Sequence, residues 1–266
     1  MRNLLIALII ASLCVPALGS RGFTREATLE ISRGAISTQS HVNKFGQNTA
    51  VAGGSTEEIW DGSAVYVFPA TALMTSMSQT TDQVAMRGAT IELQGLDASW
   101  NAVTQTKALD ASDTTTVITL DTAMIRCFRM KVLADVVGDS QIRCHNAGET
   151  QDYAIIDTGN NQTLMAIYTV PNGKTAYLTC YYAHHHPASG VSPTSLPIRF
   201  WASDRDNSYA KQIKHVVGMA AERGFQHFFN PYVEFTQKTD VYITVAPISA
   251  QPVNISAGFD LILVDN

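Results

Sequence analysis

His184, His185 and His186, next to Tyr181 and Tyr182, have the most obvious capacity for chemistry in this chain, because imidazoles bind zinc, copper and nickel. Their spacing argues against a built metal centre. Adjacent residues of an extended chain point to opposite faces, so three in a row do not converge on one ion. The nearest carboxylates, Asp204 and Asp206, lie beyond a stretch broken by Pro187, Pro193 and Pro197, which leaves no spaced ligand to complete a shell. The expectation is a solvated loop tract. Ser203–Ser208 is rich in oxygen but lacks the central glycine and distal glutamate of a calcium loop. It reads as a polar turn after a strand at 198–201. Glu57, Glu58 and Asp61 flank Trp60, the ingredients of a sugar site. Glycoside hydrolysis requires two carboxyls at a set separation across a cleft, which this cluster does not supply by itself. Trp60 is expected to anchor the N-terminal segment into the first sheet while the acids face water. Gly-x-Ser-x-Gly, P-loop and His-Glu-x-x-His patterns are absent. The chain therefore reads as non-enzymatic, with no catalytic, cofactor-binding or metal-binding residues and no cofactor.

The elements that would position any site are strands. Thr90–Gln94 and Thr114–Leu120 alternate apolar with polar residues, and Val241–Val245 is β-branched or aromatic throughout. Gly, Asn, Asp and Pro clusters separate the runs at 95–97, 110–113, 137–140, 159–161 and 171–173. Short strands at regular spacing predict an all-β fold of one or two antiparallel sandwich or jelly-roll domains. The one weak helical stretch is Ile213–Met219. Pro171-Asn172-Gly173 predicts a hairpin between strands 164–170 and 175–182. Three prolines predict a long exposed loop over 183–197. Residues 20–60, polar and glycine-interrupted, suggest an arm, with a first sandwich over 61–147 and a second over 148–266.

Charged residues make up only 15% of the 266, against 45% hydrophobic, which suits neutral-polar outer faces or faces buried against partners. A formal charge of -5 gives no basic field for a phosphate backbone, so nucleic acid is not an expected partner. Residues 1–19 have the three-part form of a secretory signal: a positive start, an apolar run from Leu4 to Val15, and small residues at Ala17 and Gly19. After cleavage Cys127, Cys144 and Cys180 would remain, an odd number that forms no disulfide framework. Aromatic density is greatest at Phe225, Phe228, Phe229 and Tyr232, a candidate subunit contact.

Several short motifs recur in a set order. They are Asn43–Asn48, Glu58–Gly62, Gly88–Asp97, Arg126–Arg129, Asn161–Leu178, Lys238–Asp240 and Leu263–Asn266. In this order they resemble virion structural proteins of tailed phages, of the kind common in short-tailed phages of marine bacteria. The resemblance spans 31–266 and departs from the family pattern at Gln47, at Ser63 and in the signal-like start. It implies an all-β component of the capsid surface, tail or fibre, without catalytic residues. Such a protein partners with its own copies, with other virion proteins and with the host cell surface. Lys44, Phe45, Trp60, Phe225, Phe228, Phe229 and Tyr232 are the expected assembly residues, and the virion is the expected location. The alternative is a secreted or periplasmic β-sandwich module that binds cell-surface glycan or protein through the 183–197 loop.

Overall fold

The computed structural model describes residues 26–62, 64–187, 195–207, 210–219, 223–247 and 253–266. The segment 1–19, expected to be a signal, lies outside them. The chain divides into a first unit ending at Ser40, which contains the short helix α1 (Ala27–Ser32), and a second unit, His41–Asn266. The fold is all-β, as its alternating sequence predicts. The strands are β1 (Gln39–Val51), β2 (Glu57–Glu58), β3 (Met74–Gln79), β4 (Thr90–Asp97), β5 (Ala102–Ala108), β6 (Ile118–Val132), β7 (Ile142–His145), β8 (Asp152–Ile156), β9 (Ile167–Thr169), β10 (Lys174–Pro187), β11 (Leu196–Asp204), β12 (Lys211–Met219), β13 (Gly224–Phe235), β14 (Thr239–Val245) and β15 (Val253–Asp265). They form three sheets, ordered β1-β15-β10-β13, β12-β11-β14-β2 with β9 also on β14, and β5-β4-β6-β3-β7-β8.

The first two sheets face each other as a sandwich. Its core alternates along the chain with period two: Ile198, Phe200 and Ala202 from β11 meet Ile255, Ala257, Phe259 and Leu261 from β15. In β10 the inward phase changes from Ala176 and Leu178 to Tyr181 and Ala183. The cause is a register shift between Leu178 and Cys180, which places an extra residue, Thr179, opposite β15. A second core lies under the six-stranded sheet, where Met74, Met77, Ile91, Leu93, Met124 and Met130 pack with Trp60, Ile167 and Tyr242. Strand β14 therefore serves both cores. Val241, Ile243 and Val245 enter the sandwich, Tyr242 enters the second core, and all seven β14 positions are buried. A strand covered on both faces has no polar alternation to display, which explains its consecutive apolar run Val241–Ile243.

Three local expectations need correction. The Pro171–Gly173 turn forms, with Gly173 at φ 74° and Lys174 N–H donating to the Pro171 carbonyl at 3.3 Å. Its flanking strands do not pair, however: β9 joins β14, whereas β10 lies between β13 and β15. The turn carries the chain from one sandwich sheet to the other. The stretch expected to be helical near Ile213–Met219 is β12, an edge strand paired with β11. The two ends of the expected 183–197 loop are strand instead, because β10 continues to Pro187 and β11 begins at Leu196; residues 188–194 lie outside those described. Pro187 and Pro197 sit at strand ends, where a missing N–H is tolerated.

Candidate functional site

The histidine tract follows the strand geometry that carries it. His184 is exposed on β10 and His185 is fully buried on the opposite face, so these two imidazoles diverge. Among the described residues no group of three or more His, Cys, Asp or Glu side chains is placed to hold a metal. Cys127, Cys144 and Cys180 are free thiols, all buried.

Two of the three acids around Trp60 do not face water, and Asp61 is half-buried. Glu57 and Glu58 form β2 beside β14, and both are buried. Glu57 accepts hydrogen bonds from Ala52 N–H at 3.0 Å, from the Ser55 hydroxyl at 2.7 Å and from Asn48 Nδ2 at 3.1 Å. Glu58 accepts from Tyr66 N–H at 2.9 Å, and burial raises its pKa above the usual carboxylate range. Asp61 accepts from Leu164 N–H at 3.0 Å, and burial pushes it up to about 7. The expectation of solvated acids failed for Glu57 and Glu58 because their carboxylates satisfy nearby backbone N–H groups, whereas half-buried Asp61 reaches across to the 161–178 segment.

These bonds draw together three of the ordered motifs, 43–48, 58–62 and 161–178. Ala166 N–H donates to the Ile59 carbonyl at 2.9 Å, Ile59 N–H to Ile243 at 3.2 Å, and Trp60 bridges to Met165. Gly46 lies against this junction so closely that a Cβ there would stand 2.4 Å from Ala166 N and 2.6 Å from the Ile59 oxygen. Trp60 is buried, donates through Nε1 to the Ala64 carbonyl at 2.7 Å, and packs edge-on against Tyr66. The motif residues gathered here close backbone turns and pack a core; none presents a nucleophile beside a base.

A second polar cluster joins the sandwich to the six-stranded sheet. Asp240 on β14 accepts Arg126 Nε at 2.8 Å and Nη2 at 2.9 Å, from β6. It also accepts Arg205 Nε at 3.0 Å and the Thr169 hydroxyl at 2.6 Å. Trp100, at φ 68°, lies 5.1 Å from the Arg126 guanidinium and 5.4 Å from that of Arg205. Sequence reading missed this clamp, although Asp240 inside an apolar strand is the signal for it: a charge there needs a partner.

The expected assembly residues are distributed unevenly. Lys44 and Trp60 are interior, whereas Phe45, Phe225 and Phe229 are half-buried. Phe228 is 68% exposed and Tyr232 50%, both on β13. The structure adds Ile213 and Val216, at 49% and 55%, on β12. Strands β12 and β13 are each the last of their sheet, and His215 of β12 stacks on His227 of β13 with ring centres 4.2 Å apart. The Tyr181 hydroxyl meets His215 Nδ1 at 2.5 Å beneath this seam. Period-two reading did not single out Ile213 and Val216 because Lys211 and Lys214 between them imitate a helical charge pattern.

No family model matches the chain, and no curated protein sequence does. Among solved structures, the chain is similar to one described as infectious bursal disease virus Gt strain. That match is 10% identical, covers 86% of this chain and 73% of the other, and has a TM-score of 0.22. It is also similar to the infectious bursal disease virus VP2 subviral particle, at 9% identity, 84% and 68% coverage, and a TM-score of 0.22. Likeness at that score carries no functional argument.

Proposed function

We propose that this chain is a non-enzymatic structural protein of a tailed-phage particle, acting by symmetric association with its own copies at the capsid surface, tail or fibre. The observation that carries the reading is the edge formed by β12 and β13, with Ile213, Val216, Phe228 and Tyr232 exposed along two adjacent terminal strands. A terminal strand offers unpaired N–H and C=O groups, and monomeric proteins blunt such edges or cover them. Here the exposed side chains of the two edge strands include aromatic and aliphatic ones, the composition of an interface centre. Lys211, Lys214 and Glu234 add charges of both signs, so association of like copies meets little repulsion. The ordered motifs support the virion assignment through their resemblance to phage structural proteins. The glycan-binding alternative relied on a 183–197 loop whose two ends, 183–187 and 196–197, are paired strand.

Sedimentation velocity on the full chain tests this reading. The wild type is expected to associate with increasing concentration, and Phe228→Ser with Tyr232→Ser to remain monomeric with an unchanged circular dichroism spectrum. A wild type that stays monomeric throughout, or a double variant that assembles as before, overturns the proposed edge.

A further inference from the structure

A cavity of about 330 Å³ opens between β1, β4, β5 and β6, away from the β12–β13 edge. Lys44, Arg129, Asn43, Gln94, Thr104 and Phe128 are among its lining residues, and none of those residues is an aspartate or glutamate. The Lys44 ammonium is interior, with the residue only 4% exposed. It donates one hydrogen bond, to the Phe128 carbonyl, and lies 5.8 Å from the centre of the Phe128 ring. An ammonium has three N–H donors, so the remainder of its capacity is unmet by the described residues. Among those residues neither Lys44 nor Arg129 takes part in a salt bridge.

Two cations at one cavity, one of them buried and without a counter-ion, are costly unless something negative arrives. We infer that this cavity binds a small oxyanion, a carboxylate or phosphate on a compound of about monosaccharide size, held between the Lys44 ammonium and the Arg129 guanidinium. The Thr104 hydroxyl supplies a neutral hydrogen bond for the rest of such a compound, and the Phe128 ring supplies an apolar wall. Asn43 and Gln94 also line the cavity with amide groups, although their amide nitrogens are bonded to Asp260 and Glu92. Nothing in the motif resemblance or in the proposed self-association requires this site.

The arrangement makes binding depend on pH. Burial, and then the Arg129 charge, lower the Lys44 pKa to about 7. Other groups around it are Cys127 on β6, His41 on β1, Tyr168 on β9, and Asp260 on β15, which is engaged by Asn43 and His41. Glu92 on β4 pairs with Lys131 and accepts from Gln94, and these bonds, together with the Arg129 charge, lower its pKa. A bound anion favours protonated Lys44, so affinity should fall as pH rises through the free amine's pKa, by up to about tenfold per pH unit.

Isothermal titration calorimetry of the full chain with glucuronate, inorganic phosphate and, as a neutral control, glucose tests the inference. At least one of the two anions is expected to bind once per chain. Its affinity at constant ligand charge should weaken as the buffer is raised from about pH 6 to about pH 8, directly so for glucuronate and after allowing for the second ionisation of phosphate. Arg129→Gln should weaken it at least tenfold without loss of folding, since Arg129 is only half-buried. Lys44→Met, which keeps an unbranched side chain, should abolish the pH dependence. Preference for glucuronate identifies a carboxylate site, and preference for phosphate a phosphate site. No heat with either anion, equal binding of glucose, or unaltered affinity in Arg129→Gln would each overturn the inference.

Discussion

Replacing Asp240 by Asn removes the carboxylate that the Arg126 and Arg205 guanidiniums share. The side chains of Arg126 and Asp240 are each 2% exposed and that of Arg205 is 7% exposed, so water cannot take over the lost interactions. The isosteric amide preserves shape and can still accept at one oxygen, so the change is electrostatic rather than a cavity. Removing one partner of a buried ion pair costs about 3–5 kcal/mol, mostly as the penalty of the stranded charge. Two guanidiniums lose this carboxylate at once, which argues for the upper end of that range. For a chain of this size about 1 kcal/mol moves the melting temperature by roughly 2–4 °C, so the expected drop is roughly 6–20 °C. Urea denaturation followed by tryptophan fluorescence reads this well, because Trp100 lies against both guanidiniums. Adding Arg205→Gln should recover part of the loss by removing one of the two buried charges that faced the carboxylate. A loss below about 1 kcal/mol, with no recovery in the double variant, would refute the view that this clamp holds β6 to β14.

Two further outcomes are expected from the same packing. Gly46→Ala should destabilise by about 1–3 kcal/mol or more in chemical denaturation, because its Cβ meets backbone at 2.4 Å that cannot rotate away; an unchanged midpoint would show that the junction yields. His215 has its pKa lowered, first by burial and then by His227, so the unfolded chain takes the proton more readily. Its contribution is present above the unfolded value and is lost as pH falls. Melting temperature should therefore decline below about pH 6.5, and less so in His215→Asn; identical acid profiles for the two proteins would contradict this.

Period-two patterning and turn residues made the all-β architecture legible, because both act within a few residues of themselves. Partner choice was not legible. Asn172-Gly173 specifies a reversal whichever strands it joins, so the turn was foreseen although β9 and β10 pair with other strands. Strand β12 read as weakly helical because its lysines interrupt the alternation, and an edge strand has no second neighbour to impose a cleaner pattern. The burial of Glu57 and Glu58 escaped notice for a related reason. Their partners include the backbone N–H groups of Ala52 and Tyr66, which every sequence offers and none advertises. The diverging histidines, by contrast, followed from strand geometry alone, even though the tract was assigned to a loop.

Mass spectrometry of particles purified from a phage lysate that expresses this chain tests the central claim most directly. The structural-protein account predicts peptides from residues 41–266 in constant ratio to the other particle proteins, surviving density-gradient purification. Loss of the chain from purified particles, with recovery in the host envelope or medium, would contradict it.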